Sequence, residues 1–163
     1  MWGIVGNSLF RVVGNLFNDD FRDFIAALEW HEVRYLLIGG YAVIAHGYDR
    51  STGDMDVWVE CTPENYGRLV TAFRAFGMPV FDMTLERFLD VDRYDVFGYG
   101  VPPNRIELLT APAGVEFAAC YPNRRRFVDG DLECNLIGYD DLLAMKRAAG
   151  RLRDRDDLEN LGG

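Results

Sequence analysis

The sequence predicts an α+β domain in which a short mixed sheet is flanked by helices. Apolar segments of strand length alternate with segments whose hydrophobic residues recur at helical spacing. Several strand-like segments also follow one another late in the chain, which is typical of a sheet with antiparallel as well as parallel neighbours. With 163 residues and no low-complexity linker, the chain is expected to form a single domain over 1–163, with its core over about 18–161.

The first half of the chain has clear boundary signals. Asn18 can cap a helix that carries an apolar stripe. The stripe consists of Phe21, Phe24, Ile25 and Leu28. Residues 1–17 before it are expected to form a helical extension. The elements predicted next are a strand over 35–38, a short helix over 39–47, a strand over about 55–60, and a helix that Thr62 and Pro63 begin and Gly77 ends.

The second half is expected to contain more strands and a helical C-terminal region. Asp129-Gly130 is a hairpin-turn signal between two short strands. The C-terminal helical region has a break at Gly150. The predicted elements are a short helix over 84–89, strands over 94–99 and 105–109, hairpin strands over 125–128 and 132–136, and helices over 139–161.

Composition limits the classes of partner. The net charge of −9 and the pI near 4.6 argue against a nucleic-acid surface spread over the whole domain, and no DNA partner is expected. A local basic patch at 121–127, with three consecutive arginines from Arg124 to Arg126, leaves an RNA-binding surface as a weaker option. A phosphate-bearing substrate near so acidic a protein requires bridging cations, which favours a metal-dependent site.

The cysteines and the N-terminus indicate the compartment. Cys61, Cys120 and Cys134 are odd in number and widely spaced, so neither a disulfide framework nor a zinc site is expected. The first seventeen residues are apolar but lack a basic n-region, and Arg11 interrupts them. They fit neither a signal peptide nor a membrane span, and we expect a cytoplasmic protein with no membrane partner.

The segment from Leu37 to Glu60 carries the strongest functional signal. Asp54 and Asp56 lie two positions apart at the start of a predicted strand, so both side chains leave the same face, about 6.6 Å apart. Gly39 and Gly40 open a helix directly after the preceding strand, and bare backbone N–H groups at such a position suit phosphate. Paired carboxylates beside a phosphate site predict Mg²⁺ holding a nucleoside triphosphate.

The Asp-x-Asp pattern alone is uninformative, because it occurs four times in the chain. The other three pairs are Asp90/Asp92, Asp129/Asp131 and Asp154/Asp156. The first lies in a loop-like stretch, the second flanks a turn glycine, and the third falls in a predicted helix, where side chains two positions apart diverge. Only Asp54 and Asp56 combine a strand with an upstream glycine pair.

The order of residues in this segment resembles the nucleotidyltransferase superfamily, and most closely its minimal, toxin-type branch related to the AbiEii and AbiGii proteins. The residues that carry the resemblance are Gly39-Gly40-Tyr41-Ala42, His46-Gly47, Arg50, Thr52, Asp54 and Asp56. It implies a nucleotidyltransferase fold that binds two Mg²⁺ (or Mn²⁺) ions. The implied reaction transfers a nucleoside monophosphate from ATP or another nucleoside triphosphate to a hydroxyl of RNA, protein or a small molecule. The implied setting is a toxin–antitoxin or defence system, with a partner protein or a second copy of the chain.

The resemblance also implies a third carboxylate. The family places it in a strand that reads approximately Arg-Ile-Asp-Leu-Leu, and the corresponding residues here put Glu107 at that position. Glu107 is therefore expected to be a metal ligand or general base, and a solvated strand glutamate is the alternative. Asp95, in the preceding strand, is the second candidate for this role.

The C-terminal region matches the family's pattern of a lysine followed by Arg-x-x-Asp. Lys146, the only lysine in the chain, and Arg151 would then contact the nucleotide phosphates, and Asp154 and Asp157 would hold these bases in place. A salt-bridged surface helix is the alternative.

Arg50 and Thr52 are also candidates for phosphate contact. An arginine fork suits phosphate geometry, whereas an ion pair with Asp49 or Glu60 is the alternative for Arg50.

A competing hypothesis of another class applies to the whole chain. It is a non-catalytic, nucleotidyltransferase-like module, acting as an antitoxin, a partner subunit or a nucleotide sensor.

Overall fold

The computed structural model describes the backbone of residues 10–12 and residues 16–163. Seven strands and seven α-helices occur in these residues, together with a 3₁₀ helix at Tyr121–Asn123. The strands are β1 (Phe10–Val12), β2 (Tyr35–Ile38), β3 (Met55–Val59), β4 (Val96–Tyr99), β5 (Ile106–Leu109), β6 (Arg125–Asp129) and β7 (Leu132–Leu136). The helices are α1 (Asp19–Trp30), α2 (Gly39–Ala45), α3 (Pro63–Phe76), α4 (Leu85–Leu89), α5 (Phe117–Cys120), α6 (Tyr139–Ala149) and α7 (Leu152–Leu161).

All seven strands form one mixed sheet in the order β1-β6-β7-β2-β3-β5-β4. The pairs β1–β6, β7–β2 and β3–β5 are parallel, whereas β6–β7, β2–β3 and β5–β4 are antiparallel. This architecture confirms the mixed α+β class. The central strands β2, β3 and β5 carry the segments in which the sequence places candidate site residues.

The helix boundaries follow from local chemistry. The Asn18 side chain accepts a hydrogen bond from the backbone N–H of Phe21, and the Thr62 side chain accepts one from Asn65. Gly77 ends α3 in the left-handed conformation, with φ of 85°. These caps satisfy backbone groups that a helix end leaves without partners, which is why the predicted boundaries of α1 and α3 are confirmed.

Alternation along β3 separates a core face from a polar face. Met55, Val57 and Val59 are fully buried, whereas Asp56 and Trp58 leave the opposite face of the strand. The apolar face belongs to a core that includes an edge-to-face contact between the rings of Phe73 and Tyr99, with centroids 4.8 Å apart. The core therefore fixes β3. On the other face Trp58 is buried as well, and Asp56 is the residue of the strand that is left available for a site.

Two elements differ from the sequence prediction. Residues 1–9 and 13–15 of the expected helical extension lie outside the described residues, but Phe10–Val12 forms a strand parallel to β6, so a helix there is wrong. The short helix α5 was not predicted. Within the described part of the chain, no helix combines the length and apolarity needed to cross a membrane.

Candidate functional site

A cleft of about 490 Å³ lies between the polar face of the sheet and helices α6 and α7. The residues that the sequence predicts for the site line this cleft, except Asp157, which is fully buried behind it, and the second candidate Asp95, which lines a neighbouring cavity. The lining residues are Gly39, Gly40, Arg50, Thr52, Gly53, Asp54, Asp56, Glu107, Lys146, Arg151, Arg153 and Asp154. Segments more than 100 positions apart in the chain thus meet at one place.

Carboxylates form one wall of the cleft. Asp56 and Glu107 are direct partners in the register of the parallel strands β3 and β5, so their side chains leave the same face of the sheet. Asp54 lies two positions before Asp56 and lines the same cleft. Arg105 contacts two of these acids, with its Nε 3.2 Å from Glu107 Oε1 and 3.7 Å from Asp54 Oδ2.

Asp56 is the carboxylate whose protonation is most perturbed. Burial, which is the largest cause, and the negative charges of Glu107 and Asp54 together raise its pKa from the usual value near 3.8 to about 7. Lys146 and Arg151 oppose this shift. A cation bound beside Asp56 would favour the ionised carboxylate, because an added positive charge lowers the pKa of a neighbouring acid.

The two glycines have a steric reason for their position. A Cβ on Gly39 would overlap the Asp56 carboxylate, and a Cβ on Gly40 would overlap the Thr52 side chain. Gly39 also has φ of 68°, a conformation that favours glycine. The pair therefore lets the start of α2 approach the carboxylate wall closely, and its role as a phosphate site stays a prediction.

Basic side chains form the facing wall, and a buried ion-pair network holds them. The Nζ of Lys146 lies 3.1 Å from Asp154 Oδ1 and 2.9 Å from Asp157 Oδ2. Arg151 Nε lies 2.7 Å from Asp154 Oδ2. The lysine is only 6% exposed, so these contacts fix its position at the back of the cleft. The predicted pairing of Asp154 and Asp157 with the bases is present.

Arg50 joins the same network through Asp157. Its Nε and Nη2 donate to the two carboxylate oxygens of Asp157 at 2.7 Å and 3.0 Å, and its Nη1 donates to the carbonyl of Ser51 at 2.9 Å. From the sequence, Asp49 and Glu60 were the alternative ion-pair partners of Arg50, and both alternatives are wrong. A bidentate contact of this kind fixes the guanidinium and ties the loop before β3 to α7.

The network keeps its acids ionised. Burial alone would raise the pKa of Asp154, but hydrogen bonds from Arg151 and Lys146 outweigh burial and lower it. Burial also opposes ionisation of Asp157, and the hydrogen bonds from Arg50 and Lys146 again lower its pKa. Both carboxylates are therefore negative at neutral pH, and each compensates a base that lines the cleft.

The described residues contain no ready-made cluster of three or more His, Cys, Asp or Glu side chains that could hold a metal ion. The metal-binding role of Asp54, Asp56 and Glu107 thus stays a prediction. Their oxygen atoms are of the type that Mg²⁺ prefers. Asp95 lines a neighbouring cavity of about 420 Å³, which shares Asp56 and Glu107 with the first cleft.

Sequence reasoning missed two residues of the site. Arg153 lines the cleft, and Arg105 contacts the carboxylate wall from the position two residues before Glu107. Side-chain alternation could have identified Arg105, since residues 105 and 107 of one strand leave the same face. Whether Arg105 would also reach Asp54 depended on the register between β3 and β5, which the sequence does not display.

The arginines of the predicted RNA-binding patch are engaged elsewhere. Arg126 pairs with Glu29 and Glu133. The guanidinium of Arg124 stacks over the Tyr121 ring, 4.0 Å from its centroid. These contacts neutralise part of the basic run and weaken the RNA-binding option.

Neither protein-family models nor curated proteins match this chain. The relation to the nucleotidyltransferases therefore depends on the motif residues and on where the fold places them.

Proposed function

We propose that this protein is a Mg²⁺-dependent nucleotidyltransferase, with Mn²⁺ as a substitute ion. The observation that supports this function is the facing arrangement of the cleft, with Asp54, Asp56 and Glu107 on one wall and Lys146 and Arg151 on the other. A nucleoside triphosphate with its divalent cation carries both signs of charge, and a cleft with one acidic and one basic wall complements it.

The acidic wall is assigned to the metal. Asp54, Asp56 and Glu107 would hold the cation or cations, and Mg²⁺ at these oxygens would neutralise the charge that develops on the phosphates during transfer. The donors fit a hard cation because all are carboxylate oxygens. The raised pKa of Asp56 also fits, since Lys146 and Arg151 only partly oppose the shift and a cation would supply the remaining compensating charge.

The other residues bind and orient the substrates. Arg151 and Arg153 would contact the phosphates, and Lys146 would add positive charge at the back of the cleft. Asp154 and Asp157 hold the buried bases in position. The acceptor hydroxyl attacks the α-phosphorus, the bond from that phosphorus to the bridging oxygen breaks, and pyrophosphate leaves. Glu107 would accept the proton of the hydroxyl.

The proposed fold, acceptor class and biological setting depend on the same residues. We assign the chain a nucleotidyltransferase fold because the sheet segment β2–α2–β3 presents the glycine pair and the two aspartates, and β5 adds Glu107 beside them. The acceptor would be a hydroxyl of RNA, protein or a small molecule. A cytoplasmic toxin–antitoxin or defence role, with a partner protein or a second copy of the chain, belongs to this proposal.

Transfer of a labelled nucleotide tests the proposal directly. The purified protein is incubated with Mg²⁺, each α-labelled nucleoside triphosphate, and RNA, protein or small-molecule acceptors. We expect label on one acceptor class, loss of transfer by at least a hundredfold in Asp54→Asn and Asp56→Asn, and retention in Asp92→Asn, which changes an exposed aspartate outside the cleft. Equal transfer by all variants would refute the assignment of the two aspartates.

A second candidate is a non-catalytic nucleotide-binding module. The favouring observation is that Arg50 and Lys146 are already bound to Asp157, so these bases serve the fold even without a ligand. Calorimetry separates the two functions. Nucleotide binding that is unchanged in Asp54→Asn and Asp56→Asn, with no transfer to any acceptor, would favour the module over the enzyme.

A further inference from the structure

Arg105 is the one cation within ion-pair distance of Asp54 and Glu107 among the described residues, and neither the motif nor the proposed reaction gives it a role. It immediately precedes β5. Its Nε donates to Glu107 Oε1 at 3.2 Å and lies 3.7 Å from Asp54 Oδ2. A single guanidinium therefore bridges two of the three carboxylates that the proposed function assigns to the metal.

The position of this guanidinium is built into the sheet. Gly98 of β4 is the register partner of Glu107, and a Cβ at position 98 would lie 2.7 Å from Arg105 Nη2. The absence of a side chain on β4 thus makes room for the guanidinium. The backbone carbonyl of Arg105 accepts a hydrogen bond from Met55 at 3.0 Å, which ties the residue to β3 between the two aspartates of the motif.

The contacts of Arg105 are weaker than those of Arg50, another arginine of the site. Its distances of 3.2 Å and 3.7 Å exceed the roughly 2.7–2.9 Å of a strong charge-assisted hydrogen bond, and its side chain is 39% exposed. Arg50, by contrast, meets the fully buried Asp157 at 2.7 Å. Arg105 is held loosely enough for another cation to replace it.

We propose that Arg105 is a positioning residue that acts as an internal counter-ion. It holds Asp54 and Glu107 near each other in the metal-free protein, and a divalent cation must displace it from these oxygens. This inference rests on the proposed function, since it takes Asp54 and Glu107 as metal ligands. Its consequence is that Arg105 lowers the affinity of the cleft for a divalent cation without nucleotide.

Binding of Mn²⁺ alone tests the inference, with free Mn²⁺ measured by electron paramagnetic resonance at low salt. We expect Arg105→Gln to bind Mn²⁺ about tenfold more tightly than the wild type, because the competing positive charge is gone. Arg105→Lys keeps a charge and should stay within about threefold of the wild type. The matched control is Arg93→Gln, since Arg93 is also 3.7 Å from an aspartate, Asp90, but lies outside the cleft.

A second variant tests the same point if Arg105→Gln does not fold. Gly98→Ala changes no charge, and its methyl group would crowd the guanidinium in its present position. It should also tighten Mn²⁺ binding, by about threefold or more. Salt should reduce the difference between the variants and the wild type, because the effect is electrostatic.

The outcomes separate this inference from the proposed function. If the wild type binds Mn²⁺ and both Arg105→Gln and Gly98→Ala bind it equally well or more weakly, the counter-ion role is wrong and the metal site stands. If Mn²⁺ alone binds none of these proteins, Arg105→Gln included, the counter-ion role is wrong, and the labelled-nucleotide assay with Asp54→Asn and Asp56→Asn decides the proposed function separately. Tighter binding in Arg105→Gln that Arg105→Lys reverses supports the inference.

Discussion

Gly39 lies directly against the carboxylate of Asp56. A Cβ at position 39 would overlap Asp56 Oδ2, and the backbone of Gly39 has φ of 68°. The strand β2 that precedes Gly39 pairs with β3, which carries Asp56. The glycine and the acid therefore form a single structural unit. Position 39 requires a glycine because the Asp56 carboxylate occupies the space that a side chain there would fill.

Gly39→Ala should damage the cleft and the stability together. The left-handed backbone conformation and the overlap with Asp56 predict a loss of about 1–3 kcal/mol in the free energy of unfolding, with transfer activity reduced at least tenfold. Urea unfolding and the labelled-nucleotide assay measure the two effects. Gly67→Ala is the matched control, because Gly67 has open space around it in α3 and alanine there should stabilise by about 0.5–1 kcal/mol. Equal stability of the two variants would contradict this account.

Asp56→Asn should stabilise the metal-free protein at neutral pH. The folded-state pKa of Asp56 is raised to about 7 from a usual value near 3.8, so the folded protein holds a proton that the unfolded chain releases. The stability that this proton provides is complete below about pH 4 and is lost as the pH rises through about 7. The variant should gain about 1–2 kcal/mol at pH 8, or about 3–6 °C in Tm.

Thermal unfolding in the presence of a chelator, between pH 5 and pH 8, measures this gain. It should be largest at pH 8 and clearly smaller at pH 5. Asp92→Asn, at an exposed position, should show no pH-dependent gain. A Tm for Asp56→Asn that is unchanged or lower across the whole range would show that Asp56 is not destabilising when ionised.

Asp157→Asn should lower the free energy of unfolding and not only the transfer activity. The variant leaves Arg50 and Lys146 partly uncompensated in a buried position, and breaking a buried ion pair costs about 3 kcal/mol. The pKa of Asp157 is lowered in the folded state, so its stabilising effect is present above the usual value near 3.8 and is lost as the pH falls further. Denaturant unfolding at pH 7 and pH 3 measures both effects.

The neighbouring Asp156 provides the control for that experiment. Asp156 is exposed and accepts a hydrogen bond from the Tyr48 hydroxyl at 3.0 Å. Asp156→Asn should therefore change stability by less than about 0.5 kcal/mol. If the two substitutions had the same effect at pH 7, the ion-pair network would not be the reason for the burial of Asp157.

Arg151→Gln should weaken nucleotide binding. The Arg151 side chain is 77% exposed and lines the cleft, so its guanidinium can reach a phosphate while Nε stays on Asp154. We expect a nucleotide Kd raised about tenfold, which is about 1.4 kcal/mol. Calorimetry with a non-hydrolysable triphosphate and Mg²⁺ measures this change. Arg155→Gln, at an exposed position in the helix that Arg151 precedes, should leave the Kd unaltered, and a similar loss in both variants would indicate a general charge effect.

The elements that the sequence predicted well have local signals. Asn18 and Thr62 cap their helices through hydrogen bonds to backbone groups three residues ahead, and a contact at such short separation is visible in the sequence. The hairpin β6–β7 around Gly130 is similarly local. The part of the candidate site that lies in one continuous segment, from Gly39 to Asp56, has a similarly local signal, whereas Glu107, Lys146 and Arg151 were placed there by the family resemblance, and their roles stay predictions.

The remaining features depend on distant parts of the chain. The strand at Phe10–Val12 exists as a neighbour of β6, and nothing within three residues specifies that pairing. The partner of Arg50 is Asp157, 107 positions away, whereas Asp49 and Glu60 are close in sequence. Arg105 acquires its contact with Asp54 only when β3 and β5 pair in parallel. Local patterns cannot specify these contacts, since tertiary packing decides them.

The central claim is that Asp54 and Asp56 bind a divalent cation beside a nucleoside triphosphate in the cleft. A crystal soaked with a non-hydrolysable triphosphate and Mn²⁺ tests this most directly, because the anomalous signal of Mn²⁺ locates the ion. The account predicts an anomalous peak in contact with oxygens of both Asp54 and Asp56, and phosphates along the wall formed by Lys146 and Arg151. An ion and a triphosphate bound elsewhere on the molecule, with these carboxylates unliganded, would contradict it.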